Sequence, residues 1–196
     1  MPNETLHGTQ TYWKTPCCRN VSSNCGSAAP SGPLKVDVRP LIGNVMRVIQ
    51  GDLIKLAKAG EFDVIVHGCN CMGAMGAGIA KAIRAEFPAA YTADAETTKA
   101  DRSKLGSITF ARAQIGDRDL TVVNGYTQFD YRGSGVLVDY DALRSVFRTL
   151  KRQFSGKRIA YPLIGAGLAK GNWEVIAQII DEELSGENHT LVRFKP

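Results

Sequence analysis

The stretch VIVHGCNCMGAMGAGIAK, residues 64–81, decides how the rest of the chain is read. It opens on an apolar run, DVIVHG from Asp63, of the kind that forms a strand buried on both faces. Small residues and glycines follow. Ile79, Ile83 and Phe87 then recur at four-residue spacing, which predicts a helix that Pro88 ends or kinks. A strand running through a glycine loop into a helix places free backbone N–H groups at a helix start, where an anion can be held. The loop is not a P-loop, because no Gly-Lys-Ser/Thr follows it. Nor is it the dinucleotide fingerprint, since Gly73, Gly76 and Gly78 have the wrong spacing. Cys69 and Cys71 raise the question of a metal or a reactive thiol. Cys-x-Cys with His67 is an incomplete ligand set, and buried cysteine packs as a small hydrophobe, so no metal is expected.

Working outward, strands and helices alternate. RVIQG from Arg47 reads as a strand, and Leu53 to Ala59 as a short helix behind Asp52, which suits an N-cap. SITFARAQ and LTVVNGY flank the Gly116-Asp117 turn as a hairpin. Tyr140, Leu143, Val146, Phe147 and Leu150 make one helical stripe, RIAYPLIG a strand, Trp173 to Leu184 the last helix and HTLVRF the last strand. The pattern predicts an α/β fold with a mixed central sheet of about six strands sandwiched between helices.

In such a sheet, ligands collect beyond the carboxyl ends of the strands. Three segments there carry glycine: residues 68–78, NGYTQ from Asn124, and LIGAGLAKGNW from Leu163. Two glycine loops that each open into a helix suit a phosphate or diphosphate ligand. The net charge of +5 agrees with an anionic small molecule, but no basic run or basic–aromatic alternation signals nucleic acid. No apolar stretch reaches the roughly 18 residues of a membrane span. Five cysteines, unevenly placed, fit no disulfide framework and point to a reducing, cytoplasmic setting.

Taken together, QGDL, VIVHGCNCMGAMGAGIAKAI and YPLIGAGLAKGNWEVI resemble the macro domain, the ADP-ribose-binding module, from Met46 to the C-terminus. The His-x-Cys-Asn-Cys pattern is most similar to the branch of ADP-ribose-1″-phosphate phosphatases, and the terminal ADP-ribose glycohydrolases are also similar. The resemblance implies that Asp52, with Leu53, reads adenine and that Asn70 contacts the distal ribose. It implies a diphosphate held by Gly76, Ala77, Gly78 and Ile79 and by Gly165, Ala166, Gly167 and Leu168. Asn124 and Tyr126 would line the distal ribose pocket. His67, where ordinary binders carry asparagine, would be catalytic, as general base or nucleophile. The implied reaction is hydrolysis of ADP-ribose-1″-phosphate by a monomer without cofactor. The alternatives are release of ADP-ribose from macromolecules, or binding alone. Glycohydrolases of the family place a lysine and an aspartate where Gln128 and Ala169 align, with Asp130 and Lys170 close by.

Residues 1–45 differ in composition. TPCCRNVSSNCGSAAPSGP has no helical or strand period and too little apolar surface to offset its ordering. The segment is expected to be disordered or a non-native extension, with the domain starting at Met46.

Overall fold

A computed structural model describes residues 46–195; the expectations for residues 1–45 lie outside the described residues. Six strands, β1 (Arg47–Gln50), β2 (Val64–Asn70), β3 (Ile108–Ile115), β4 (Arg118–Gln128), β5 (Ile159–Tyr161) and β6 (His189–Arg193), form one sheet in the order β1-β6-β5-β2-β4-β3. All neighbours pair in parallel except β3 and β4, the expected hairpin, which turns at Gly116 with φ +58°. Five helices surround it: α1 (Leu53–Ala59), α2 (Gly78–Glu86), α3 (Pro88–Ala95), α4 (Tyr140–Phe154) and α5 (Trp173–Glu183). The predicted mixed six-stranded sandwich is what the chain forms.

Two cores lie on opposite faces of the sheet. Val64 and Val66 of β2 pack with Leu143, Val146 and Phe147 of α4 and Ile176 and Ile180 of α5. Ile65, the residue between them, packs with Leu53 and Ile54 of α1, Ile83 of α2 and Ala90 of α3. This alternation assigns each later residue of β2 to a face. Pro88 does not simply end the preceding helix. α2 stops at Glu86, and Pro88 starts α3, where its missing N–H costs nothing and its fixed φ suits the first turn.

Candidate functional site

Because five strands run parallel, the segments leaving them emerge at one edge, and two cavities lie there. The larger, about 600 Å³, is lined by Gly68 and Asn70 of β2, by Gly76 to Ala80, by Gln128, Tyr131, Gly133 and Leu137 after β4, and by Gly167 to Lys170 after β5. The smaller, about 410 Å³, is lined by Gly51 to Ile54 after β1, Pro162 after β5 and Phe194 after β6. Gly78 and Ile79 line both, so the two cavities form one path along the strand ends.

The walls of this path are largely backbone. α2 starts at Ala77 and Gly78 without a side-chain cap, whereas Asp52, Asp139 and Asn172 cap α1, α4 and α5 with their own oxygens. The first N–H groups of α2 therefore lack the side-chain partner that these other helices have. The glycines divide into two kinds. At Gly165, with φ +74°, an added Cβ would stand 2.9 Å from Val138, and at Gly68 it would stand 2.9 Å from the Thr127 hydroxyl, so the fold itself demands glycine there. At Gly76 and Gly167 an added Cβ meets nothing within 4 Å. Both line the cavity, and neither has a left-handed φ. At these two positions the protein's own packing leaves room for a side chain, which would extend into open space.

Asn70 builds the loop it starts. Its Oδ1 accepts from Met72 N (3.1 Å) and Ala74 N (3.2 Å), and its Nδ2 donates to Ala74 O (2.8 Å). Asp52 uses one oxygen, Oδ1, for both capping bonds, from Ile54 N (2.9 Å) and Lys55 N (3.0 Å). The second glycine loop crosses toward β4: Leu137 N and Val138 N both donate to Ala169 O, at 2.8 and 3.3 Å.

His67, Asn124 and Tyr126 lie elsewhere. They were expected in the site, but each is fully buried and none lines either cavity. Parallel pairing sets His67 opposite Asn124 and Cys69 opposite Tyr126 on the face covered by α3. Asn124 Nδ2 donates to Ala90 O (2.7 Å) and Thr109 Oγ1 (3.0 Å). That leaves its Oδ1 to accept from His67 Nε2 at 2.8 Å, which fixes the imidazole tautomer. Tyr126 Oη donates to Asp94 Oδ1 at 2.7 Å, and the Lys104 ammonium lies 3.7 Å from the same oxygen. Burial pushes the His67 pKa down to about 4, against the opposing bond from Asn124, so the ring is neutral at ordinary pH. The ring of His67, expected to be catalytic, is thus buried, neutral and outside the lining of both cavities.

Burial also pushes the Cys69 and Cys71 thiols up, away from a reactive thiolate. Among the described residues no group of three or more His, Cys, Asp or Glu side chains is placed to hold a metal. Nor is any helix among them long and apolar enough to cross a membrane. Gly165 and Ala166 shape the second loop without lining the cavity, and Ala166 packs on the core. Of the remaining expected residues, Asp52, Leu53, Asn70, Gly76, Ala77, Gly78, Ile79, Gly167 and Leu168 do line the path. Tyr131, Leu137 and Phe194 join them without having been singled out for the site, and so does Lys170, noted from the sequence only as a neighbour of Ala169; Asp130 lines neither cavity.

Comparison with known proteins agrees with this geometry. The Macro domain family model matches residues 66–180. An uncharacterised 17.5 kDa protein of Enterobacteria phage T4 is 33% identical over 157 residues, covering 78% of this chain and 98% of its own length. An ADP-ribose 1″-phosphate phosphatase of Aspergillus oryzae is 46% identical, but over 24% of this chain and 21% of its own length. A DNA ADP-ribosyl glycohydrolase of Mycobacterium tuberculosis is 26% identical over 65% of this chain and 35% of its own length. Among solved structures, the macrodomain of Thermus aquaticus DarG superposes with a TM-score of 0.59 at 21% identity, covering 77% of this chain and 98% of its own. Thermosipho africanus DarTG in complex with ADP-ribose gives 0.60 at 15% identity, over 76% and 42%.

Proposed function

Because the chain belongs to the macro domain family, we propose that its two joined cavities hold ADP-ribose and that the protein hydrolyses ADP-ribose-1″-phosphate to ADP-ribose and inorganic phosphate. Adenine takes the smaller cavity, with the Asp52 carboxylate oxygen not used in capping accepting from the adenine amino group. The diphosphate crosses between Gly76–Ile79 and Gly167–Leu168. The distal ribose reaches Asn70 and Gln128.

The observation that carries this reading is the pair Gly76 and Gly167. Their Cβ positions are empty of protein, and glycine there keeps the backbone open to ligand oxygens. The uncapped start of α2 adds N–H donors and a positive dipole end on the same side.

In the proposed reaction a water oxygen bonds to phosphorus, the P–O bond to the C1″ oxygen breaks, and that oxygen takes up a proton as phosphate leaves. The chain contributes alignment and charge stabilisation from loop N–H groups. His67 serves the sheet beneath rather than the reaction. Partial relatives named ADP-ribose 1″-phosphate phosphatase support this choice of ester. Glycohydrolysis of the kind that uses a lysine and an aspartate is disfavoured, because Gln128 and Ala169 stand at the aligned positions and, of the nearby pair, Lys170 lines the cavity while Asp130 does not and is paired with Arg132. Gln128 cannot form an imine, and Ala169 cannot move a proton.

Phosphate release from ADP-ribose-1″-phosphate, with calorimetric titration of ADP-ribose alongside, tests both halves. Binding with turnover is the expected result. Binding without turnover would reduce the protein to a reader, and absence of binding would sink the reading altogether.

A further inference from the structure

Lys170 is the one charged side chain among the residues that line the larger cavity. No ion pair or side-chain hydrogen bond within the described residues uses its ammonium, and the carboxylate on the facing loop, Asp130, is committed to Arg132 through Nε (3.0 Å) and Nη2 (2.8 Å). Its backbone is also unusual. With φ +56°, Lys170 holds a left-handed conformation that glycine adopts freely and lysine does not. The turn enforces it: Lys170 N donates to Gly167 O (3.0 Å) and Gly171 N to Gly165 O (2.9 Å). Gly171 has no room for a Cβ, which would stand 2.5 Å from Val138. Non-glycine residues kept in such a conformation cluster at ligand sites.

Its place along the path is fixed by topology. The adenine end lies over β1 and β6, where Asp52 and Phe194 line the smaller cavity. Lys170 follows Ala169, whose carbonyl takes the N–H groups of Leu137 and Val138 beyond β4. Lys170 therefore stands at the opposite end, with Gln128 and Leu137, where a substituent on the distal ribose would emerge.

We propose that Lys170 is a specificity-determining residue: its ammonium is the counter-charge for an anionic group on the distal ribose, so that the site takes a 1″-phosphate in preference to a free 1″-hydroxyl. This rests on the reading of the cleft as an ADP-ribose site. A neutral end of the cleft would treat the two ligands alike; a lone cation separates them.

The test is the ratio of dissociation constants for ADP-ribose and for its 1″-phosphonate, in which a C–P bond resists hydrolysis. It is measured by calorimetry on the full chain and on Lys170→Met and Lys170→Arg. The wild type should favour the phosphonate by about tenfold, the scale of one charge-assisted hydrogen bond. Lys170→Met should bring the ratio close to one, Lys170→Arg should keep most of it, and added salt should shrink it in the wild type. An unchanged ratio in Lys170→Met, or a wild type that binds both ligands alike, would overturn the role of Lys170 while leaving the cleft assignment standing. A wild type that binds neither ligand would remove the cleft assignment and this inference with it.

Discussion

On one face of β2, Gly68 and Asn70 open onto a cavity walled by glycine loops and an uncapped helix. On the other, His67 and Cys69 lie under α3 in a dense network with Asn124, Tyr126 and Asp94. On the first face the cavity meets the N–H groups of a helix start that has no side-chain cap. The second spends nearly every polar atom on a neighbour. Buried polar groups are costly unless paired, and the histidine face is paired within the fold, whereas the glycine face is where the proposed ligand would complete the hydrogen bonding. A single strand thus carries both support and site, separated only by the alternation of its side chains.

The sharpest way to break this contrast is to fill the empty position on the open face. Gly167→Val places a Cβ where the protein has no atoms within 4 Å. The fold should be unaffected, with the melting temperature held. Affinity for ADP-ribose should fall about 100-fold or more, because displacing the diphosphate forfeits at least two charge-assisted hydrogen bonds. Retained affinity on calorimetric titration would mean that nothing lies against Gly167.

The opposite face should respond through stability and pH. The His67 pKa is held down to about 4 in the folded chain, against about 6.5 in an unfolded one. Between these values the unfolded state binds a proton that the folded state refuses. This contribution to stability is therefore present above pH 6.5 and is lost as pH falls toward 4, about 3 kcal/mol in all. Urea unfolding followed from pH 7 to pH 4.5 should show that loss in the wild type. It should be absent in His67→Gln, which has no imidazole to protonate. Phosphate release per folded molecule should persist in the variant. A collapse of turnover with stability intact would return His67 to the reaction. On the same face, Tyr126→Phe removes the hydroxyl donor to Asp94 and should cost about 1–2 kcal/mol in the same unfolding measurement, without change in ADP-ribose affinity.

What the sequence disclosed and what it hid follow from the same geometry. Strand positions and the helix stripes of α4 and α5 were legible because they depend on local periodicity. Pro88 correctly marked the end of α2 but gave no sign of α3, because proline both stops one helix and starts the next. The facing of His67, Asn124 and Tyr126 was illegible for a different reason. The burial of β2 is nearly unbroken from Val64 to Asn70, and that of β4 from Val122 to Thr127, so no alternation of apolar and polar residues marks which side chains point where. What fixes the facing is the pairing of His67 with Asn124, between residues far apart in the chain. Gly76 and Gly167 were found through their loops, but the distinction between glycines the fold demands and glycines it does not emerges only from packing. Lys170 was legible only as a neighbour of the aligned position Ala169; that it lines the cavity depends on where the second loop crosses.

The smallest expected effect tests whether one residue can serve both support and site, as the strand does. Asp52 caps α1 with Oδ1 alone. Asparagine and aspartate rank together as helix N-caps, so Asp52→Asn should keep the cap and leave thermal stability near that of the wild type. The amide, however, replaces the second oxygen with a donor, and a donor facing the adenine amino group repels where the carboxylate accepted. Affinity for ADP-ribose should fall about tenfold, the loss of one hydrogen bond to a charged group. Asp52→Ala should lose the same affinity and in addition about 1 kcal/mol of stability with the cap. If Asp52→Asn binds ADP-ribose as tightly as the wild type, Asp52 is only a cap, and the adenine end of the path must be read by Phe194 and the backbone of Leu53 instead.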